Sequence, residues 1–248
     1  MGASNIAREV GMIESVKPGL KGCCRWLALL LFLALSACAT APRPLEGIVP
    51  GRSLETLSSA VSIAVRAGEK SSGGRGYLVF SQPDRFHLVM LSPFGLTVLE
   101  VFTDGDRLTC IVPSQGVAYS GRIDELPDRD GLRSWGLMRW IVEAPPAPGP
   151  ARFRDHVTRT GLQERIYYND QGLVIRKESE EGDEVRFSDY RVVNGVAVAE
   201  SIEIVAAGGE QVRLTFSDPE VNPVVEDSML VPSLEGLKVL PFSAFKGF

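Results

Sequence analysis

Few side chains in this 248-residue chain combine a type and a spacing suited to chemistry. Its four cysteines are Cys23, Cys24, Cys38 and Cys110, and its two histidines are His87 and His156. Cys38 ends the run Leu35-Ser36-Ala37-Cys38, which closes an apolar stretch, Trp26 to Ala37, that follows Lys21 and Arg25. A basic flank, an apolar core and small residues before a cut form the pattern of a secretory signal, here with a cysteine at the new N-terminus. The apolar stretch has 12 residues, well short of the roughly 20 of a membrane-spanning helix. Cys110 lies in the apolar strand pattern Leu108-Thr109-Cys110-Ile111-Val112. It reads as a buried small hydrophobe, because a nucleophilic thiol needs an activating base and none is near in sequence. His87 and His156 lack metal-ligand spacing. Asp155-His156 could orient an imidazole, but no Gly-x-Ser-x-Gly elbow completes a hydrolase, so a surface pair is the better reading. Gly73, Gly74 and Gly76 precede no Gly-Lys-Ser/Thr and mark a hairpin, not a phosphate loop. The acidic run Lys177 to Glu184 reads as a solvated hairpin tip in preference to a calcium site. No enzyme, cofactor or metal chemistry is predicted.

The segment ending at Cys38 resembles the lipobox of bacterial lipoproteins. The resemblance implies that the Cys38 thiol receives a diacylglyceryl group and that cleavage falls just before it. Fatty chains such as palmitate would then hold the chain to a membrane. Ala39 stands where an aspartate would imply inner-membrane retention in enterobacterial lipoproteins, which points to the outer membrane. Met12 is an alternative start. Removing residues 1–37 leaves 211 residues, enough for one domain with a real core. It also removes four basic and two acidic side chains, which takes the net charge from −5 to −7. An acidic surface argues against nucleic acid and against broad adhesion to anionic lipid.

The elements that must position these groups are strands. Residues 38–53 are rich in proline and glycine and read as a lipidated tether. Leu54 to Leu57 reads as the end of a short helix. Period-two patterns follow at residues 60–67, 75–81, 85–91, 97–103, 107–112, 117–120, 162–168, 173–179, 184–192, 196–205 and 211–217. Turn residues separate them, Asp104-Gly105 and Asn194-Gly195 most clearly. One helix is predicted over Leu132–Val142, ended by the proline-rich run Ala144 to Pro150. About eleven strands at hairpin spacing form an antiparallel meander that curls or closes.

The segment Asp84 to Thr97, with the turn Ser92-Pro93-Phe94-Gly95, resembles the LolA/LolB family of bacterial lipoprotein carriers and receptors, nearest to its outer-membrane receptor branch. Leu132-Arg133-Ser134-Trp135 with the proline-rich run, and the tail Asn222 to Leu240, carry the resemblance further. Departures are the near absence of a long first helix, Phe94 in place of the turn leucine, and Gly136 and Trp140 in the helix. The resemblance implies a mainly β fold, a half-open antiparallel β-barrel of residues 54–248 with a helical lid over an apolar cavity. It implies acyl chains of lipoproteins as cargo, a periplasmic LolA-like carrier as donor, and insertion into the outer membrane from a periplasm-facing, monomeric receptor. Phe86, Leu88, Met90, Leu99, Val101, Leu108, Trp135, Met138, Trp140 and Phe216 are the candidate cavity lining. Pro93, Phe94 and Gly95 are the candidate membrane-insertion turn. A binding module for another lipid or glycolipid, and a structural outer-membrane lipoprotein with a filled core, are the alternatives.

Overall fold

A computed structural model of the chain describes residues 44–126, 132–159 and 161–245. The signal segment and Cys38 lie outside the described residues. Thirteen strands form one open sheet. In chain order they are β1 (Thr56–Ala67), β2 (Lys70–Ser81), β3 (Arg85–Leu91), β4 (Thr97–Asp104), β5 (Arg107–Val112), β6 (Val117–Arg122), β7 (Phe153–Val157), β8 (Gln163–Tyr168), β9 (Val174–Ser179), β10 (Glu184–Val193), β11 (Val196–Val205), β12 (Gln211–Val221) and β13 (Lys238–Leu240). Their spatial order is β13-β6-β5-β4-β3-β2-β1-β12-β11-β10-β9-β8-β7. Two meanders therefore meet along β1 and β12, and the curved sheet stays open between β7 and β13. All neighbours pair antiparallel except β13, which runs parallel to β6.

The mainly β, half-open antiparallel architecture matches the sequence reading, and all eleven expected strands are present. Two more were not anticipated. β7 is short, charged and mostly exposed, so it carries no apolar alternation. β13 has three residues inside a proline-bearing tail. The stretch read as the end of a short helix before β1 is extended instead, and β1 starts at Thr56. The hairpin marked by Gly73, Gly74 and Gly76 turns earlier than those glycines, at Gly68-Glu69, and the glycines themselves lie in β2. Its glycines serve close strand approach. A Cβ on Gly76 would lie 1.8 Å from the Val89 carbonyl oxygen, and one on Gly73 would lie 2.8 Å from that of Ile63.

The inner face carries one continuous apolar cluster that includes Leu57, Val61, Leu78, Phe86, Leu88, Val101, Leu108 and Phe216. The predicted helix is present as two short pieces, α1 (Leu132–Gly136) and α2 (Arg139–Val142). Trp140 N donates to Leu137 O at 2.9 Å and Ile141 N to Met138 O at 3.1 Å. These i→i−3 bonds tighten the chain into a bend where a single α-helix was expected. Trp135, Met138, Trp140 and Val142 from this bend are buried on the inner face. The outer face is covered separately. Phe102, Ile111 and Ala118 pack against Leu234 and Leu237 of the tail. Asp227 pairs with Arg85 at 3.0 Å. The Met229 carbonyl and the Glu100 carboxylate bracket the two ring nitrogens of His87 at 2.9 and 3.0 Å.

Candidate functional site

An apolar cleft of about 350 Å³ opens on the inner face between α2 and strands β10 to β12. Leu57, Phe80 and Phe216 form its floor from the centre of the sheet. Phe187, Tyr190, Val198, Ala199 and Ile202 form one wall, and Ile141, Ala144 and Pro145 form the roof. Alternation turns Val198 and Ile202 of β11 and Phe216 of β12 to this face. Asn194 and Gly195 close the β10–β11 turn with φ of +51° and +83°, as a two-residue hairpin requires.

One charged side chain enters the buried part of the wall. Lys177 on β9 is 1% exposed. Its Nζ donates to the Trp140 carbonyl at 2.8 Å and to the Glu143 carbonyl at 3.2 Å, so it holds the end of α2 onto the second meander. Burial pulls its pKa below the usual lysine value, and the carboxylates of Glu164 and Glu143 partly offset this. Tyr190 donates to the Val174 carbonyl at 2.5 Å, and burial pushes its pKa up. Among the described residues, the buried Ser134 Oγ and Trp140 Nε1 of the helical pair have no hydrogen-bond partner. A buried polar atom without a partner costs about 1–3 kcal/mol.

All ten residues expected to line a cavity lie in or against the inner-face cluster. Phe216 is on the cleft floor; the other nine pack in the core beside it. The cleft sits further along the sheet than the sequence reading placed it, over the second meander. Neither Lys177 nor Tyr190 is an expected lining residue, because both lie in strands whose polar residues read as solvent-facing. A register shift between Tyr167 and Tyr168 opposite β9 breaks the simple alternation there. The acidic run beginning at Lys177 is also not wholly a solvated tip. Ser179 and Asp183 are buried, and Asp183 Oδ1 accepts the Ala207 N–H at 2.9 Å.

Strand alternation separates Asp155 from His156. Asp155 pairs with Arg165 at 2.7 Å, and His156 pairs with the buried Glu164 at 2.7 Å on the opposite face. They do not form an oriented dyad. Cys110 is fully buried, and burial pushes its thiol up to about 12, so it is inert at neutral pH. Among the described residues, no group of three or more His, Cys, Asp or Glu side chains could hold a metal ion. No helix among them is long and apolar enough to cross a membrane.

The turn Pro93-Phe94-Gly95 joins β3 to β4. Gly95 at φ +81° closes it, Ser92 N donates to Leu96 O at 2.8 Å, and Gly95 N donates to Ser92 O at 2.9 Å. Phe94 is 91% exposed and Leu96 70% exposed. The turn's own main-chain bonds fix its shape without burying either side chain.

No curated protein matches the sequence. Among solved structures, a LolA superfamily protein from Nitrosomonas europaea is 12% identical, with 75% of this chain and 93% of that chain covered and a TM-score of 0.46. A DUF1329 family protein from Desulfovibrio piger is 11% identical, with 72% and 90% covered and a TM-score of 0.44. The sequence model of the family described as "Outer membrane lipoprotein LolB" matches residues 56–218, more than half of the chain. The chain belongs to the LolB family of outer-membrane lipoproteins, whose business is lipoprotein binding and localisation, not catalysis.

Proposed function

We propose that this protein is a lipid-anchored outer-membrane receptor. It takes acylated lipoproteins from a periplasmic LolA-like carrier and passes them into the membrane. The observation that carries the reading is the apolar cleft beneath α2 and the proline-rich run that follows it. A methylene displaces about the volume of a water molecule, roughly 30 Å³, so the cleft takes on the order of a dozen methylenes. That is most of one acyl chain. Each methylene withdrawn from water contributes about 0.8 kcal/mol, so filling the cleft supplies a large driving force without directed chemistry. A passenger with several chains requires α1 and α2 to move away from the sheet.

Cys38 is the lipidated residue in this reading, with the domain facing the periplasm as a monomer. Phe94, supported by Pro93 and Gly95, enters the lipid interface. The cleft favours a lipid-binding role over a structural lipoprotein with a filled core. Native mass spectrometry of the purified full-length protein tests the proposal. Co-purified acylated peptide is the expected result, and a lipid-free spectrum with no uptake of added triacylated lipopeptide rejects it.

A further inference from the structure

Residues 44–53 lie upstream of the family-matched region and run along the mouth of the cleft as an irregular strap, with a turn at Pro50-Gly51 closed by the Arg52 N–H on the Val49 carbonyl at 3.2 Å. Their main chain is gripped from two turns. On the β8–β9 turn, Gln171 Oε1 accepts the Leu45 N–H at 2.9 Å and Gln171 Nε2 donates to the Leu45 carbonyl at 3.1 Å. On the β10–β11 turn, the Gly195 carbonyl accepts the Val49 N–H at 2.9 Å. The Asn194 carbonyl accepts from Arg52 Nη1 at 2.7 Å. The fit is close, because a Cβ on Gly195 would lie 2.7 Å from Val49 Cγ2. Between the two grips, Ile48 contributes to the cleft lining while staying 37% exposed.

We propose that the strap is a built-in competitor. Residues 44–52 occupy the groove in which the extended linker of an acylated passenger lies while its acyl chain fills the cleft. The inference rests on the acyl-binding reading above and deepens it. Three features point to an exchangeable occupant. First, the Leu45 and Val49 contacts address main-chain atoms, and Gln171 pairs with both polar atoms of one residue as a neighbouring strand would. Such a grip is indifferent to sequence, as a receptor for passengers with unrelated linkers requires. Second, a lipoprotein is an acylated cysteine followed by an extended stretch, and this seat places a main-chain grip beside an apolar cleft in that arrangement. Third, the strap inserts one half-buried isoleucine, whereas a ligand inserts a whole hydrocarbon chain, so the ligand displaces it by burying more apolar surface.

The test uses the full-length chain reconstituted in phospholipid nanodiscs and two photoreactive probes. One is a fatty acid with a diazirine in its tail; the other is a triacylated lipopeptide with a diazirine in its linker. Ile48→Asp, which places a charge in the apolar mouth, should raise labelling by both probes severalfold, and the milder Ile48→Ser should do so to a lesser degree. Adding Gln171→Ala to Ile48→Asp should return lipopeptide labelling to the wild-type level and leave fatty-acid labelling high. The β8–β9 turn survives this change because Asn169 Oδ1 holds the Gln171 and Leu173 N–H groups. Labelling by both probes that stays at the wild-type level in Ile48→Asp and Ile48→Ser proteins of unchanged melting temperature overturns the competitor. Lipopeptide labelling insensitive to Gln171→Ala overturns the linker groove. A chain that no probe labels in any variant overturns the acyl-binding reading itself, and the strap proposal with it.

Discussion

Phe94 and Lys177 are opposites in the way they meet water. Phe94 stands almost fully exposed on a turn that does not need its side chain. Phe94→Glu should therefore leave thermal stability unchanged within about 0.5 kcal/mol. It should forfeit the roughly 1.5–3 kcal/mol that a buried aromatic gains in lipid, which is a loss of about ten- to a hundredfold in membrane partitioning. Liposome flotation beside a thermal melt checks both halves. Lys177 is buried with its ammonium shared between two carbonyls. Lys177→Met should cost about 3 kcal/mol in denaturant unfolding, because it leaves the Trp140 and Glu143 carbonyls unpaired. The sign of its pH dependence follows from the lowered pKa. Between that value and the unfolded 10.5, the unfolded chain binds more protons, so the Lys177 contribution to stability rises with pH. Cys110 and Tyr190, both raised, work the other way at alkaline pH. The Lys177 effect is therefore read as the difference between wild type and Lys177→Met, which should grow in favour of wild type as pH rises. A flat difference rejects the assignment.

At the scale of elements, the hairpins were legible because their signals are local. Asn194-Gly195 is itself the two-residue turn, while the Asp104-Gly105 hairpin turns one residue later, at Gly105-Asp106, with Asp104 closing β4 against Arg107. The helical bend was legible as apolar spacing but not as a break, since the i→i−3 bonds at Leu137 and Met138 answer to the sheet beneath. A Cβ on Gly136 would press within 2.8 Å of Leu126 Cδ1, a tertiary constraint with no local signature. The cleft was less legible than the fold. Apolar residues that fill a core and those that line a hollow have the same type and period, and only the bend of the sheet decides between them. Two predictions belong here. Ala199 faces Tyr190 across the β10–β11 ladder on the cleft wall. Ala199→Phe should fill the hollow and weaken fatty-acid binding on the order of tenfold, about 1.4 kcal/mol, in a fluorescence displacement titration, with the fold retained. Gly76→Ala drives a methyl into the Val89 carbonyl. It should cost at least about 3 kcal/mol by forcing β2 and β3 apart, seen as a lowered denaturation midpoint.

For the whole molecule, the sheet's two faces answer to different parts of the chain. The inner face is roofed by the helical bend, while the outer face of β3 to β6 is sealed by the tail from Asp227 to Leu240. Cys38→Ala should move the protein from the membrane fraction to the soluble fraction and abolish palmitate labelling, which fractionation with radiolabelled fatty acid checks. The tail carries a consequence for biogenesis. The family-matched region ends at residue 218, yet Phe102, Ile111 and Ala118 become dry only when Leu234 and Leu237 arrive. Leu234 and Leu237 follow β1 to β12 in the chain, so a polypeptide delivered from its N-terminus carries an oily back until they dock. In the proposed periplasmic setting, a holdase has that defined surface to shield in the interval.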